Sequence, residues 1–241
     1  MKLGMEIPIV HLEHLSPLLD FDFAIAHRVL NNGIYRDFYA KQAESGRHVI
    51  LDNGFHELGK PVDVRTLARA AELCKASIVI APDSLDDYNL TWNSMTLCLE
   101  QMDPQRLAGA VVGDTRLERA TLVDMYFEKK VGTICFPYRR DRVSWLEELY
   151  QDDFDFSAQN VHFLGMRSFE ECILLQAMHP EATFDTSKPL KWAYRSARMD
   201  TLDIVHGGWS DYDSFLEAPA LTQEQTEIAL YNLCLLRQSF A

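Results

Sequence analysis

Residues 48–54 read HVILDNG, a short β-branched run that ends in an aspartate and a turn pair. Two further stretches have the same form: SIVIAPD at 77–83 delivers Asp83, and ATFDTS at 182–187 delivers Asp185. A short apolar run without polar alternation is the pattern of a strand buried on both faces, as strands are in a parallel sheet. Such sheets carry their chemistry at the carboxyl ends of the strands, so three aspartates at three such ends predict one site at one rim.

The pattern extends in both directions along the chain. FDFAIAH (21–27), RLAGAVVGD (106–114), VGTICFPY (131–138), VHFLGM (161–166) and LDIVHGG (202–208) are also short, apolar and bounded by turn residues, which brings the strand-like runs to eight. Between them, VDVRTLARAAELCK, LTWNSMTLCLEQM, LERATLVDMYFEKK and SFEECILLQAMH repeat apolar residues at helical spacing, with Asp63, Thr115 and Ser168 where N-caps belong. Eight alternations predict an α/β fold of the (β/α)8 TIM-barrel type, with an open doubly wound sheet as the alternative. No linker, repeat or low-complexity tract interrupts the series, so residues 1–241 read as a single domain. EIPIVHL (6–12) is strand-like too and is expected to plug or extend the barrel.

Composition excludes several classes. At 47% hydrophobic and a mean hydropathy of −0.16, the chain reads as an ordinary soluble domain. No apolar run approaches the roughly 18 residues of a membrane span, and the acidic start MKLGMEIPIVHLEH lacks a signal-peptide pattern, so a cytoplasmic location is expected. The five cysteines are scattered without a CxxC pair, which argues for reduced, mostly buried thiols and against disulfides or structural zinc. HLEH at 11–14 has no matching ligand cluster, so no metal is expected. A net charge of −13 opposes non-specific binding to nucleic acid. The basic residues are nevertheless grouped: Arg139, Arg140 and Arg142 follow one strand, Arg167 another, and Lys188, Lys191, Arg195 and Arg198 a third. If those exits share a rim, an acidic protein presents one basic face.

The predicted rim comprises His27, Asp52, Asn53, Asp83, Asp114, Tyr138, Arg139, Gly165, Arg167, Asp185, Thr186, Ser187 and His206. Phe55, Tyr138, Trp192, Tyr194 and Trp209 lie near strand exits, as packing or as a stacking platform for a base. A rim dominated by carboxylates suits displacement at a sugar anomeric carbon, where one carboxylate attacks and another moves a proton.

The runs ILDNGFHELG (50–59), APDSLDD (81–87), GAVVGD (109–114), FLGM (163–166) and FDTS (184–187) resemble the ordered motifs of tRNA-guanine transglycosylases. The nearest resemblance is to small phage and bacterial relatives that insert 7-deazaguanines into DNA, and it extends over about residues 21–190. It implies a pentosyltransferase that exchanges guanine for a 7-deazaguanine through a covalent aspartyl-sugar intermediate. By motif, Asp185 would be the nucleophile and Asp52 the proton shuttle. Asp83, with Asn53 beside it, would receive the guanine-like edge of the base, and Gly165 would let that base approach the backbone. The base-contacting glutamine of the tRNA enzymes falls on Val112, so that hydrogen bond is either lost or supplied elsewhere, with Asp114 the candidate substitute. Their zinc-binding insertion has no counterpart here, which favours DNA over tRNA as the acceptor.

The partners implied are DNA and a free base such as 7-cyano-7-deazaguanine, with no cofactor, no metal and no membrane, in the host cytoplasm if the chain is phage-encoded. Arg139, Arg140, Arg167, Lys188, Lys191 and Arg195 are the expected phosphate contacts. Two alternatives use the same fold: a nucleoside or glycoside hydrolase with Asp52 and Asp185 as its pair, and an inert barrel that acts as a binding partner in a modification complex.

Overall fold

Strands that bury both faces need neighbours on both edges and helices outside them, and the chain meets both needs by closing its sheet on itself. The computed structural model describes residues 1–139, 141–165, 168–200 and 212–239. Its eight parallel strands are β1 (Lys2–Gly4), β2 (Asp22–Ile25), β3 (Val49–Asp52), β4 (Ile78–Ile80), β5 (Leu107–Ala110), β6 (Thr133–Phe136), β7 (Asn160–Phe163) and β8 (Thr183–Asp185). Each of β2 to β7 pairs with its successor in sequence, and β8 returns to β1, in register Lys2↔Thr183 to Gly4↔Asp185. The architecture is a nearly closed (β/α)8 barrel in one domain.

The seam between β1 and β2 is joined through one residue. Asp20 donates its backbone N–H to Leu3 O at 2.9 Å and accepts Leu3 N–H on Oδ2 at 2.8 Å. Gly4 allows the closure, because a Cβ there would lie 2.2 Å from the Phe21 ring.

The helices form where periodicity and caps predict them. Asp63, Thr115 and Ser168 each accept the N–H three residues on, and Thr115 with Glu118 completes a capping box. The helix Val64–Cys74 turns Val64, Leu67, Ala70, Ala71 and Cys74 inward, the stripe that its apolar spacing prescribes. All five cysteines are free thiols, four of them buried.

One expectation needs correction. Residues 6–12 are not a strand: Pro8 has no N–H for a ladder, and Ile9–His11 forms a 3-10 turn that runs into the helix Leu12–Leu15. The strand before β2 is instead Lys2–Gly4, too short and too exposed at Lys2 to announce itself by pattern. The strand expected at 202–208 lies outside the described residues.

Candidate active site

Three strand exits deliver Asp52, Asp83 and Asp185 to one cavity of about 320 Å3 at the carboxyl rim. Its wall also includes Glu6, Phe23, Phe55, Glu57, Tyr138, Gly165 and Lys188. A wider groove on the outer helical layer, near Arg116, Phe127 and Phe154, also carries three aspartates, but Asp124, Asp152 and Asp153 are exposed and Asp152 is paired with Arg116.

The LDNG turn is held by its own polar groups. Asp52 Oδ2 accepts Gly54 N–H at 2.9 Å, and Asn53 Oδ1 accepts Phe55 N–H at 2.9 Å. The Asn53 amide donates to Ala81 O at 3.0 Å and to Asp83 Oδ1 at 2.7 Å, which ties the exits of β3 and β4 together. Asn53 therefore acts on the pocket by orienting Asp83. At the far wall, Asp185 Oδ1 accepts Gly165 N–H at 3.1 Å and lies 3.1 Å from His162 Nε2. Gly165 has φ +67°, a left-handed conformation that side chains rarely adopt.

The electrostatics follow from burying many acids together. Burial is the main cause that pushes Asp52 up to about 8, opposed by the Gly54 N–H and reinforced by the charges of Asp83, Glu6 and Asp185. Burial also raises Asp83 to about 6 against the pull of the Asn53 hydrogen bond. Glu57 rises to about 9, through burial and then Glu6 and Asp52, and Glu6 rises to about 7 despite Lys191. Lys191 falls to about 8 by burial, although Glu6, Glu57 and Asp185 all favour its charge. At neutral pH the site therefore holds protonated acids beside ionised ones, the condition for moving a proton within it.

The remaining sequence candidates divide. Lys188 lines the cavity, and Lys191 lies among the carboxylates with its ammonium 4.9 Å from the Phe215 ring. Arg139 sits half-buried above Trp145 at 4.8 Å, donates to Leu85 O at 3.2 Å and has Asp86 and Asp141 within 3.8 Å and 3.6 Å. Arg195 is exposed. Arg140, Arg167, His206 and Trp209 lie outside the described residues. Asp114 is exposed beside the cap of the helix Arg116–Glu128 and is not part of the cavity wall, because Gly113 at φ +122° turns the chain there.

Arg142 does not belong to a basic face either. It is fully buried, paired with Glu171 at 2.9 Å, and donates to Phe136 O, Leu164 O and Gly165 O at 3.1, 2.8 and 3.0 Å. His27 is a buried histidine packed against Gly54, and His11 accepts Leu221 N–H at 3.0 Å. Among the described residues no cluster of three or more His, Cys, Asp or Glu could hold a metal ion, and no helix is long and apolar enough to cross a membrane.

Sequence reasoning missed Glu6, Glu57 and His162. Glu57 stands within the quoted ILDNGFHELG run, but Glu6 and His162 carry no local signal of function. Glu6 follows an unrecognised strand, and His162 is an interior residue of β7.

The chain matches no protein-family model and no curated protein. Its fold is similar to 3-keto-L-gulonate-6-phosphate decarboxylase from Vibrio cholerae, at 12% identity and TM-score 0.55 over 100% of this chain and 96% of that one. N-acetylneuraminate lyase from Mycoplasma synoviae is similar at 12% identity and TM-score 0.54, over 81% of this chain and 74% of that one. A mutant tryptophan synthase alpha-subunit from Pyrococcus furiosus is similar at 12% identity and TM-score 0.52, over 97% and 98%. At such identities the likeness establishes the TIM-barrel fold and carries no activity across.

Proposed function

We propose that the chain exchanges guanine in a nucleic acid, DNA in preference to tRNA, for a 7-deazaguanine base, as the motif resemblance to the transglycosylases implies. The observation that carries this reading is the convergence of Asp52, Asp83 and Asp185 on one cavity, with Asp185 anchored, among the described residues, through a single oxygen.

In the proposed reaction Asp185 attacks C1′ of the sugar while the bond from C1′ to N9 of guanine breaks and its electron pair leaves with the base. Asp52, which holds a proton at neutral pH, gives it to the departing guanine. The incoming base returns a proton to Asp52 and attacks C1′, and Asp185 leaves as carboxylate. Asp83, ionised at pH 7 and oriented by Asn53, accepts the donor edge of either base. In this reading the ring of Tyr138, 48% exposed at the rim with its stem packed against Gly165, covers the bound base.

The test is exchange of labelled guanine into single-stranded DNA, duplex DNA and tRNA, with trapping of a denaturant-resistant protein–polymer adduct. Label should enter a polymer, DNA first, and Asp185→Asn should abolish the adduct without loss of fold. Guanine release that needs no entering base would assign hydrolysis instead. An undiminished adduct in Asp185→Asn would remove Asp185 from the chemistry.

A further inference from the structure

We infer that His162 is the positioning residue for Asp185: its Nε2–H, together with Gly165 N–H, occupies Oδ1 and leaves Oδ2 as the oxygen presented to the sugar. This inference rests on the proposed nucleophilic role of Asp185.

His162 is fully buried in the middle of β7, in register with Thr183 of β8. Thr183 and Asp185 stand two apart on β8 and so share one face of the strand. The imidazole spans both, with Nδ1 2.7 Å from Thr183 Oγ1 and Nε2 3.1 Å from Asp185 Oδ1. Its ring is fixed by Phe23, stacked at 5.9 Å and 14°, and by Phe21, edge-on at 6.0 Å.

The hydrogen-bond inventory selects the tautomer. Thr183 has one hydroxyl proton and two acceptors in reach, His162 Nδ1 at 2.7 Å and Val161 O at 3.3 Å. Asp185 Oδ1 can only accept, so in the neutral ring Nε2 carries the hydrogen and Nδ1 accepts the Thr183 hydroxyl. The opposite tautomer would aim the Nε2 lone pair at a carboxylate oxygen. Oδ1 thus receives two donors, whereas Oδ2 accepts no hydrogen bond from the described residues, and Asp185 faces the cavity. A carboxylate held by one oxygen cannot rotate freely, and orientation of the attacking atom is worth about 10²-fold for a displacement near 1 Å.

The experiment compares His162→Phe, which keeps a ring beside Phe23 and removes the donor, with His162→Gln, whose amide can still donate. Single-turnover adduct formation should fall about 10²-fold in His162→Phe and recover in part in His162→Gln, with free-base affinity unchanged. Nitrogen-15 spectra of the folded protein should report His162 protonated on Nε2. Wild-type adduct rates in His162→Phe, or a Nδ1-protonated ring, would overturn the inference while leaving the base-exchange reading intact. A parallel fall in free-base affinity would also overturn it, by assigning His162 to general packing. A wild-type protein that forms no adduct with any polymer, its Nε2 tautomer notwithstanding, would overturn the base-exchange reading itself and the inference with it.

Discussion

Replacing Asp83 by asparagine should make the protein more stable and less able to hold its base. Asp83 is 5% exposed, and among the described residues no lysine or arginine pairs with it and its one side-chain donor is the Asn53 amide. Burial raises it from 3.8 to about 6, so at pH 7 the fold carries an ionised group that the unfolded chain would hold in water. A difference of about 2.2 in pKa at 1.36 kcal/mol each amounts to about 3 kcal/mol. The folded state binds the proton more tightly than the unfolded state, so stability falls as pH rises from 3.8 to 6 and the full cost applies above that window. Asparagine keeps the shape and the oxygen acceptor for Asn53 without the charge. Urea unfolding at pH 7 should therefore show a gain of about 3 kcal/mol, or roughly 6–12 °C in Tm, which shrinks to about 1 kcal/mol at pH 4.5. Free-base affinity should fall about 10-fold or more as a charged acceptor becomes neutral. A variant no more stable than wild type at pH 7, or an advantage equal at both pH values, would refute the reasoning.

Asp52→Asn should lower base exchange by roughly 10²–10⁴-fold while polymer binding stays near wild type, and wild-type exchange should decline as pH passes about 8 and the acid form is lost, both measured by label incorporation. Glu171→Ala should cost about 3–5 kcal/mol in urea unfolding, because it strands the fully buried Arg142 guanidinium that fastens Leu164 and Gly165.

The alternation of apolar strands with capped, periodic helices was enough to favour a barrel over an open sheet, because buried strands and amphipathic helices are local patterns. Val49–Asp52, Ile78–Ile80 and Thr183–Asp185 all lie inside runs recognisable without coordinates, and each exit carboxylate follows from its run. Lys2–Gly4 escaped notice because three residues are too few to show a period, and its strand pairing exists only through β8.

What the tertiary structure alone decided is which side chains meet. Charge counting treated Arg139, Arg142 and Lys191 as one basic face. Packing instead buries Arg142 under Glu171, stacks Arg139 on Trp145 and sets Lys191 among acids. The raised pKa values of Asp52, Glu6 and Glu57 are likewise absent from any single segment, since they arise when β1, β3 and the residues after them converge and bury their carboxyl groups together. His162 is the clearest case. In sequence it is one residue inside an apolar strand, and only the parallel register of β7 with β8 brings its ring against Asp185. Local patterns determine elements because backbone and side-chain periodicity are properties of neighbours in the chain. A site is a property of neighbours in space, and strand register sets which those are.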